Sequence, residues 1–401
     1  MTIPYQPDAR GPLHGIRVID LTRLVAGNML SLLLADFGAE VIKLEVPGRG
    51  DTLRDWYEEG VPVFWKVYAR NKQSITLDIR KPEGRAVLEK LAGSSQILLE
   101  SFRPGVLERL KLGPTELHAI NPALVMGRIS GWGQTGPYKD RPGFGSLVEG
   151  MSGFAAKNGF SDKPPALPNM PLADMAAGMS GAFAIMVALR EAEKSGRGQV
   201  VDISLLEPLL AAIGPDAAEF RVSGKVKGRS GNRASITAPR NVYKTRDARF
   251  VALSASTEDM AARLFAAIGR TDMLSDPRFR TNADRLQHVD AVDGAIQDFI
   301  GARDRDDLLA FFAVAEVTVG PVYDASEISE DPHIKGRGVI IDLPDDDIGA
   351  IPMHAVFPRL SATPGSIRHR APKLGEQTDS ILHSLGFDEA GVADLRRKGV
   401  L

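Results

Sequence analysis

The feature that most limits what this chain can become is an alternation of patterns through its first half. Ile16-Arg17-Val18-Ile19-Asp20-Leu21 reads as a buried strand, residues 22–28 as a loop, 29–37 as an apolar helix and 40–45 as a second strand. Strand, helix and strand in about thirty residues make a βαβ unit, so the strands pair in parallel through a right-handed crossover. The pattern continues with a strand at 74–78, a helix at 82–92 and a strand at 96–100. Short helices follow at 106–110 and 115–120, then strands at 124–130 and 199–204. The expected fold is α/β, a doubly wound, mostly parallel, Rossmann-like sheet with ligand sites at the carboxyl ends of its strands.

A chain of 401 residues exceeds what one core usually holds, so more than one domain is expected. Around 222–240 the composition changes, with Lys225, Lys227, Arg229 and Arg233 among Gly224, Gly228 and Gly231. Beyond it come strands at 242–244 and 250–254 and helices at 257–268, 289–300 and 304–315. The expected organisation is a large α/β domain over 1–221, a linker over 222–240 and a smaller α+β domain over 241–323. A second linker spans 324–337, and a C-terminal segment, 338–401, returns to the large domain. Asp345-Asp346-Asp347 reads as a solvated acidic turn.

One carboxylate stands out. Pro171-Leu172-Ala173-Asp174 opens a segment with no charged side chain from Met175 to Leu189, rich in Ala and Gly. This is a helix without a polar face, hence buried, and Pro171 suits its start. Asp174 falls in the first turn, where unpaired N–H groups favour negative charge. Two readings stay open: a helix cap, or a nucleophilic carboxylate held ionised where water is scarce.

Other chemistries are narrowed by what the sequence holds. The net charge is −2 with no long basic run, which points away from a nucleic-acid partner. There is no cysteine, which removes thiolate metal sites and fits a cytoplasmic protein. The first twelve residues do not read as a signal peptide, and the helix after Asp174 reads as too short and Gly/Ala-rich to span a membrane. The seven histidines show no metal-ligand spacing. No G-x-S-x-G elbow is present. Residues 131–136, Gly-Trp-Gly-Gln-Thr-Gly, match G-x-G-x-x-G, but Pro137 to Pro142 cannot open the helix that would hold a pyrophosphate. The glycines still let a bulky ligand approach the backbone. Arg23, Lys72 and Arg103 at strand ends suggest an anionic, phosphate-bearing ligand.

Leu13-His14-Gly15-Ile16-Arg17-Val18-Ile19-Asp20-Leu21, Asp36-Phe37-Gly38-Ala39-Glu40-Val41-Ile42-Lys43-Leu44-Glu45 and Glu100-Ser101-Phe102-Arg103-Pro104-Gly105 occur in order. With Gly196-Arg197-Gly198-Gln199, Asp331-Pro332-His333 and Leu374-Gly375-Glu376-Gln377-Thr378, they resemble the class III coenzyme A transferases. That group includes formyl-CoA and carnitine CoA-transferases and the α-methylacyl-CoA racemases. The resemblance implies that Asp174 is the catalytic carboxylate. It also implies that Arg23, Leu24, Val25, Ala26, Lys72, Ser101, Phe102, Arg103 and Arg109 line the CoA site. CoA would move from an acyl-CoA to a free carboxylic acid through an acyl-aspartyl anhydride and an aspartyl-CoA thioester. CoA is then part of the substrate, with no fixed cofactor or metal, and the assembly is an interlocked homodimer. Backbone N–H groups at Gly131, Gly133 and Gly136 are candidate oxyanion donors, and Phe144 a candidate pocket residue. Relatives commonly have Asn where Ser101 stands, and formyl-transferring members have Gln where Val25 stands. The racemase alternative needs two acid/base groups, and Gly143-Phe144-Gly145 stands where racemases carry Gly-His-Asp. A non-catalytic acyl-CoA binding protein is the third reading.

Overall fold

The computed structural model describes residues 2–401. The chain divides into two compact units. One comprises residues up to 153 with 168–214 and 338–401, the other 154–167 with 215–337. The division therefore assigns 154–167 and 215–221 to the second unit, whereas the sequence reading keeps them in the first. The reason is local: Lys157 pairs with Asp216 at 2.7 Å, the Gly231 N–H reaches the Gly159 carbonyl, and Arg229 donates to the carbonyls of Phe160 and Lys163.

The first unit is built on six strands: β1 (Arg17–Leu21), β2 (Glu40–Glu45), β3 (Lys72–Thr76), β4 (Ile97–Glu100), β5 (Val125–Ser130) and β6 (Val200–Ser204). All pair in parallel in the order β3-β2-β1-β4-β5-β6. The strand order reverses between β1 and β4, which opens a crevice beyond their carboxyl ends. Alternate side chains feed two cores. Val18, Val41, Leu99 and Ile129 pack with Leu30, Ala177 and Ile185 on one face. Ile19, Ile42, Leu98 and Met126 meet Leu88, Leu91, Leu382 and Leu395 on the other. The edge strand β3 is covered by the C-terminal segment: Ser74 N–H donates to Gln377 Oε1 (2.8 Å), and Thr76 N–H to Thr378 Oγ1 (3.1 Å).

Two helices position the site, Leu24–Asp36 and Leu172–Ser195. They lie against each other because a Cβ at Gly178 would fall 2.7 Å from Met29 Cβ and 2.8 Å from the Ala26 carbonyl oxygen. The longer helix is not buried all round, as its sequence suggested. Ala173, Ala177, Ile185 and Ala188 face the core, while Met179 (45% exposed), Phe183 (72%) and Val187 (55%) form a stripe at four-residue spacing. With 24 residues it is also, by length and composition, apolar enough to cross a bilayer, which corrects the expectation that it is too short. Its inner face nevertheless belongs to the core of the first unit.

The shorter helix begins at Leu24, inside the stretch 22–28 read as loop. Its N-cap, Arg23, offers no side-chain cap; instead Asp51 Oδ1 accepts the Leu24 N–H at 3.0 Å. Asp51 belongs to a fully buried network. Lys43 Nζ lies 3.0 Å from Asp51 and 3.3 Å from Asp20, Asn28 donates to Asp51 (2.7 Å), and Ser31 to Asp20 (2.6 Å). Burial pushes both carboxyls up, but Lys43 and the hydrogen bonds outweigh it, so Asp20 and Asp51 are held below the usual aspartate value. Leu24 itself has φ +62°, a left-handed conformation that a leucine adopts only when its surroundings impose it.

In the second unit β7 (Arg240–Lys244), β8 (Phe250–Ser254) and β9 (Val319–Pro321) form an antiparallel sheet. Tyr243, Val251, Phe265, Ile296 and Phe312 make its core. Back in the first unit, β10 (Ile340–Asp345) and β11 (Gly349–His354) form a hairpin. The acidic turn at its tip is not merely solvated: Asp345 and Asp347 hold Lys66 Nζ at 2.5 and 2.8 Å.

Asp51→Ala removes the Leu24 cap and leaves Lys43 short of a counter-charge, so it is expected to cost about 3–5 kcal/mol. Urea unfolding monitored by circular dichroism measures this, and a loss under about 1 kcal/mol would contradict the account.

Candidate active site

At the crevice between β1 and β4, Ser101 Oγ accepts the Arg23 N–H at 3.0 Å, tying the two strand-end loops together. With Asp51 holding Leu24, the first turn of the Leu24–Asp36 helix is fixed. Its Ala26 N–H, one of the donors a helix leaves unpaired at its start, is directed to Asp174.

Asp174 occupies the third position of the helix Leu172–Ser195. Its carboxylate accepts from its own N–H and from Ala26 N–H. Glu149, on the neighbouring helix Gly145–Met151, accepts the Ala173 N–H at 3.1 Å through Oε1 and is 3% exposed. Asp174 thus shares the capping of its own helix with Glu149, and its carboxylate also reaches the start of the adjacent helix. Burial, with the charge of Glu149 adding to it, pushes the Asp174 carboxyl up to about 6; the hydrogen bonds from Asp174 and Ala26 N–H oppose the shift. Space beside the carboxylate exists because residue 145 is glycine: a Cβ there would lie 2.3 Å from Asp174 Oδ2.

Two cavities flank the crevice. One of about 200 Å³ lies at the ends of β1, β2 and β3, lined by Thr22, Arg23, Val46, Arg80, Phe102 and Leu110. The other, about 290 Å³, lies at the ends of β4 and β5. Ser101, Phe102, Arg103, Gly131, Trp132, Lys139, Arg141 and Phe144 line it, and Phe144 immediately precedes the glycine under Asp174. Arg23, Ser101, Phe102, Arg103, Gly131 and Phe144 are thus brought together as lining residues. Others are placed differently. Val25 points into a core with Leu53, Trp65 and Ala69, and Ala26 contributes its N–H. Leu24 is half-buried. Arg109 is exposed on the short helix Val106–Arg109 and lines neither cavity.

Lys72 corrects the expectation of a phosphate contact. Its side chain is wholly buried, with Nζ 2.8 Å from Asn28 Oδ1 and 3.1 Å from the Asn28 carbonyl. Desolvation lowers its pKa to about 7, so it braces the Leu24–Asp36 helix from within. Gly133 is also engaged, its N–H donating to Ser130 Oγ at 3.0 Å, and Gly136 sits at an exposed part of the loop. Among the described residues no cluster of three or more His, Asp or Glu side chains could hold a metal ion.

Comparison with known proteins fits this layout. The profile of CoA-transferase family III matches residues 13–378. A succinyl-CoA--D-citramalate CoA-transferase of Chloroflexus aurantiacus is 41% identical over 394 residues, covering 97% of this chain and 98% of that protein. A succinate--glutarate CoA-transferase of Agrobacterium fabrum is 33% identical, over 94% and 97% of the two chains. The crystal structure of a CAIB/BAIF family protein from Brucella suis superposes with a TM-score of 0.82 at 31% identity, covering 94% of this chain and all of that one. The chain belongs to CoA-transferase family III and is a CoA-transferase.

Gly145→Ala drives a methyl group against Asp174. Overpacking of this kind costs about 1–3 kcal/mol, and the displaced carboxylate should lower CoA transfer about 100-fold. Steady-state rates alongside thermal unfolding check this; wild-type rates in a folded variant would contradict the packing described.

Proposed function

We propose that this enzyme moves CoA from an acyl-CoA to a free carboxylic acid by covalent catalysis on Asp174. The observation that carries the proposal is the Asp174 carboxylate itself. It is drawn out of water beside a second buried carboxylate, it is held by Ala26 N–H, and it packs on Gly145, next to the Phe144 that lines the 290 Å³ cavity. A carboxylate so placed is more basic than usual yet largely ionised at neutral pH, which favours attack on a thioester.

Attack on the acyl carbonyl breaks the C–S bond, releases CoA thiolate and leaves an acyl-aspartyl anhydride. The thiolate then attacks the Asp174 carbonyl, giving aspartyl-CoA thioester and freeing the donor acid. The acceptor carboxylate attacks that thioester, again expelling the thiolate. The thiolate takes the new acyl group from the second anhydride and restores the Asp174 carboxylate. Each addition places negative charge on a carbonyl oxygen, for which Ala26 N–H and the backbone at Gly131 are the candidate donors. Arg23 and Arg103, which line the two cavities, are the residues proposed to meet CoA phosphates.

The acids named for the relatives, citramalate and glutarate among them, are dicarboxylates. Lys139 and Arg141 around the 290 Å³ cavity would suit a second carboxylate, so short dicarboxylic acids are the proposed acceptors, with succinyl-CoA the proposed donor. The stripe of Met179, Phe183 and Val187 is explained if a second copy covers it, in keeping with the homodimer that the resemblance implies. Mass measurement in dilute solution should then give twice 43.2 kDa; a stable monomer would sink the dimer.

Incubation with succinyl-CoA and no acceptor should accumulate a bound intermediate. Hydroxylamine should convert it to a hydroxamate, and borohydride reduce it to an alcohol, each located by peptide mass at Asp174. Asp174→Asn should fold, bind CoA and transfer nothing. Because protonation removes the nucleophile, transfer should fall as pH drops through about 6. An unlabelled Asp174 together with near-normal transfer by the Asn variant would overturn the assignment.

A further inference from the structure

The mechanism above gives Glu149 no step of its own and names it only as a buried neighbour of Asp174, yet this carboxylate is among the few buried charges of the first unit with no cation paired to it among the described residues. Asp20 and Asp51 have Lys43, and Glu45 has Arg54. Glu100 has Arg128, and Asp36 has Arg70. A lone buried carboxylate is costly, and a neutral Gln or Ser could cap the same helix. The side chain holding the Ala173 N–H is therefore more charged than capping requires.

Its position supplies the reason. Glu149 Oε1 is bound to the residue immediately before Asp174, so any movement of Glu149 moves the first turn that carries Asp174. Other elements packed here bring no competing charge. The Leu24–Asp36 helix faces Asp174 with the Ala26 N–H and has no acidic residue in its first turn, Arg23 at its cap being exposed. The first turn of the Asp174 helix holds no other charge, and the next charged side chain along it is Arg190. The helix Leu206–Ala212 carries only Glu207, which is bonded to Ser204.

We propose that Glu149 is a positioning residue for Asp174, fixing the first turn of its helix and setting a second buried negative charge beside its carboxylate. This rests on Asp174 being the nucleophile. Two negative groups in one dry site resist ionising together, so Glu149 adds to burial in keeping Asp174 basic, and a more basic carboxylate attacks a thioester more readily.

The test uses Glu149→Gln, whose amide oxygen can still accept the Ala173 N–H but carries no charge, and Glu149→Ala, which loses both. Asp174 is titrated by 13C NMR of protein labelled at aspartate carboxyl carbons, its resonance assigned by its loss in Asp174→Asn. Transfer is followed against pH in parallel. The midpoint should fall from about 6 toward the ordinary aspartate value in Glu149→Gln, and the acidic limb of kcat should move with it while KM for acyl-CoA holds. Glu149→Ala should in addition unfold at lower temperature. An unmoved midpoint in Glu149→Gln overturns the proposal and leaves Glu149 a plain cap. A midpoint that falls while the acidic limb stays put upholds the coupling to Glu149 and instead sinks Asp174 as the nucleophile.

Discussion

The bond from Leu24 N–H to Asp51 is the constraint on which the site depends. It holds a leucine in a left-handed conformation and starts the helix one turn earlier than its apolar run would. Without it the Ala26 N–H would have no defined direction and Asp174 no partner on the neighbouring helix. Asp51 can do this because Lys43 offsets its charge in a place water does not reach, and Lys43 in turn spans Asp20 on the adjacent strand. Strong electrostatics in a dry interior is here used for geometry. A surface ion pair would not hold so strained a turn, being worth little and screened by salt.

Much of the fold was legible because its signals are local. The βαβ alternation, the apolar helix after Pro171 and the change of rhythm past residue 222 each follow from a few neighbouring residues. The miss at residues 22–28 has an equally clear cause. Nothing at Arg23 resembles a cap, and the group that does the work, Asp51, lies 27 residues beyond Leu24. The setting of Lys72 is hidden for a related reason: a lysine at a strand end reads as available, and only the fold packs the Asn28 side chain against it. The long helix reads as buried because its sequence lacks a polar face, which distinguishes it from a solvated helix but not from one half-covered.

Asp174 was recognisable by type and setting, but its environment was not. Its carboxylate stands at the starts of two helices, where unpaired N–H groups favour charge, and beside a carboxylate and a glycine that disfavour water. These influences oppose each other, and the balance leaves a group that is ionised at neutral pH yet readily protonated. Glu149 gave a faint sequence signal, an acid between Val148 and Gly150 in an otherwise uncharged stretch, and only three-dimensional packing explains it.

The cover on the edge strand β3 bears on how the chain is made. The sheet's first three strands are complete by residue 76, but the hydrogen bonds that close the outer one come from Gln377 and Thr378. The helices that seal one face of the sheet follow at once, through Leu382 and Leu395. During synthesis the first unit must therefore wait for some three hundred residues, the whole of the second unit included, before its exposed edge and apolar face are protected. For that interval the nascent chain carries a ready template for β-pairing with its neighbours, and a ribosome stalled before residue 377 would release a product with its sheet unsealed.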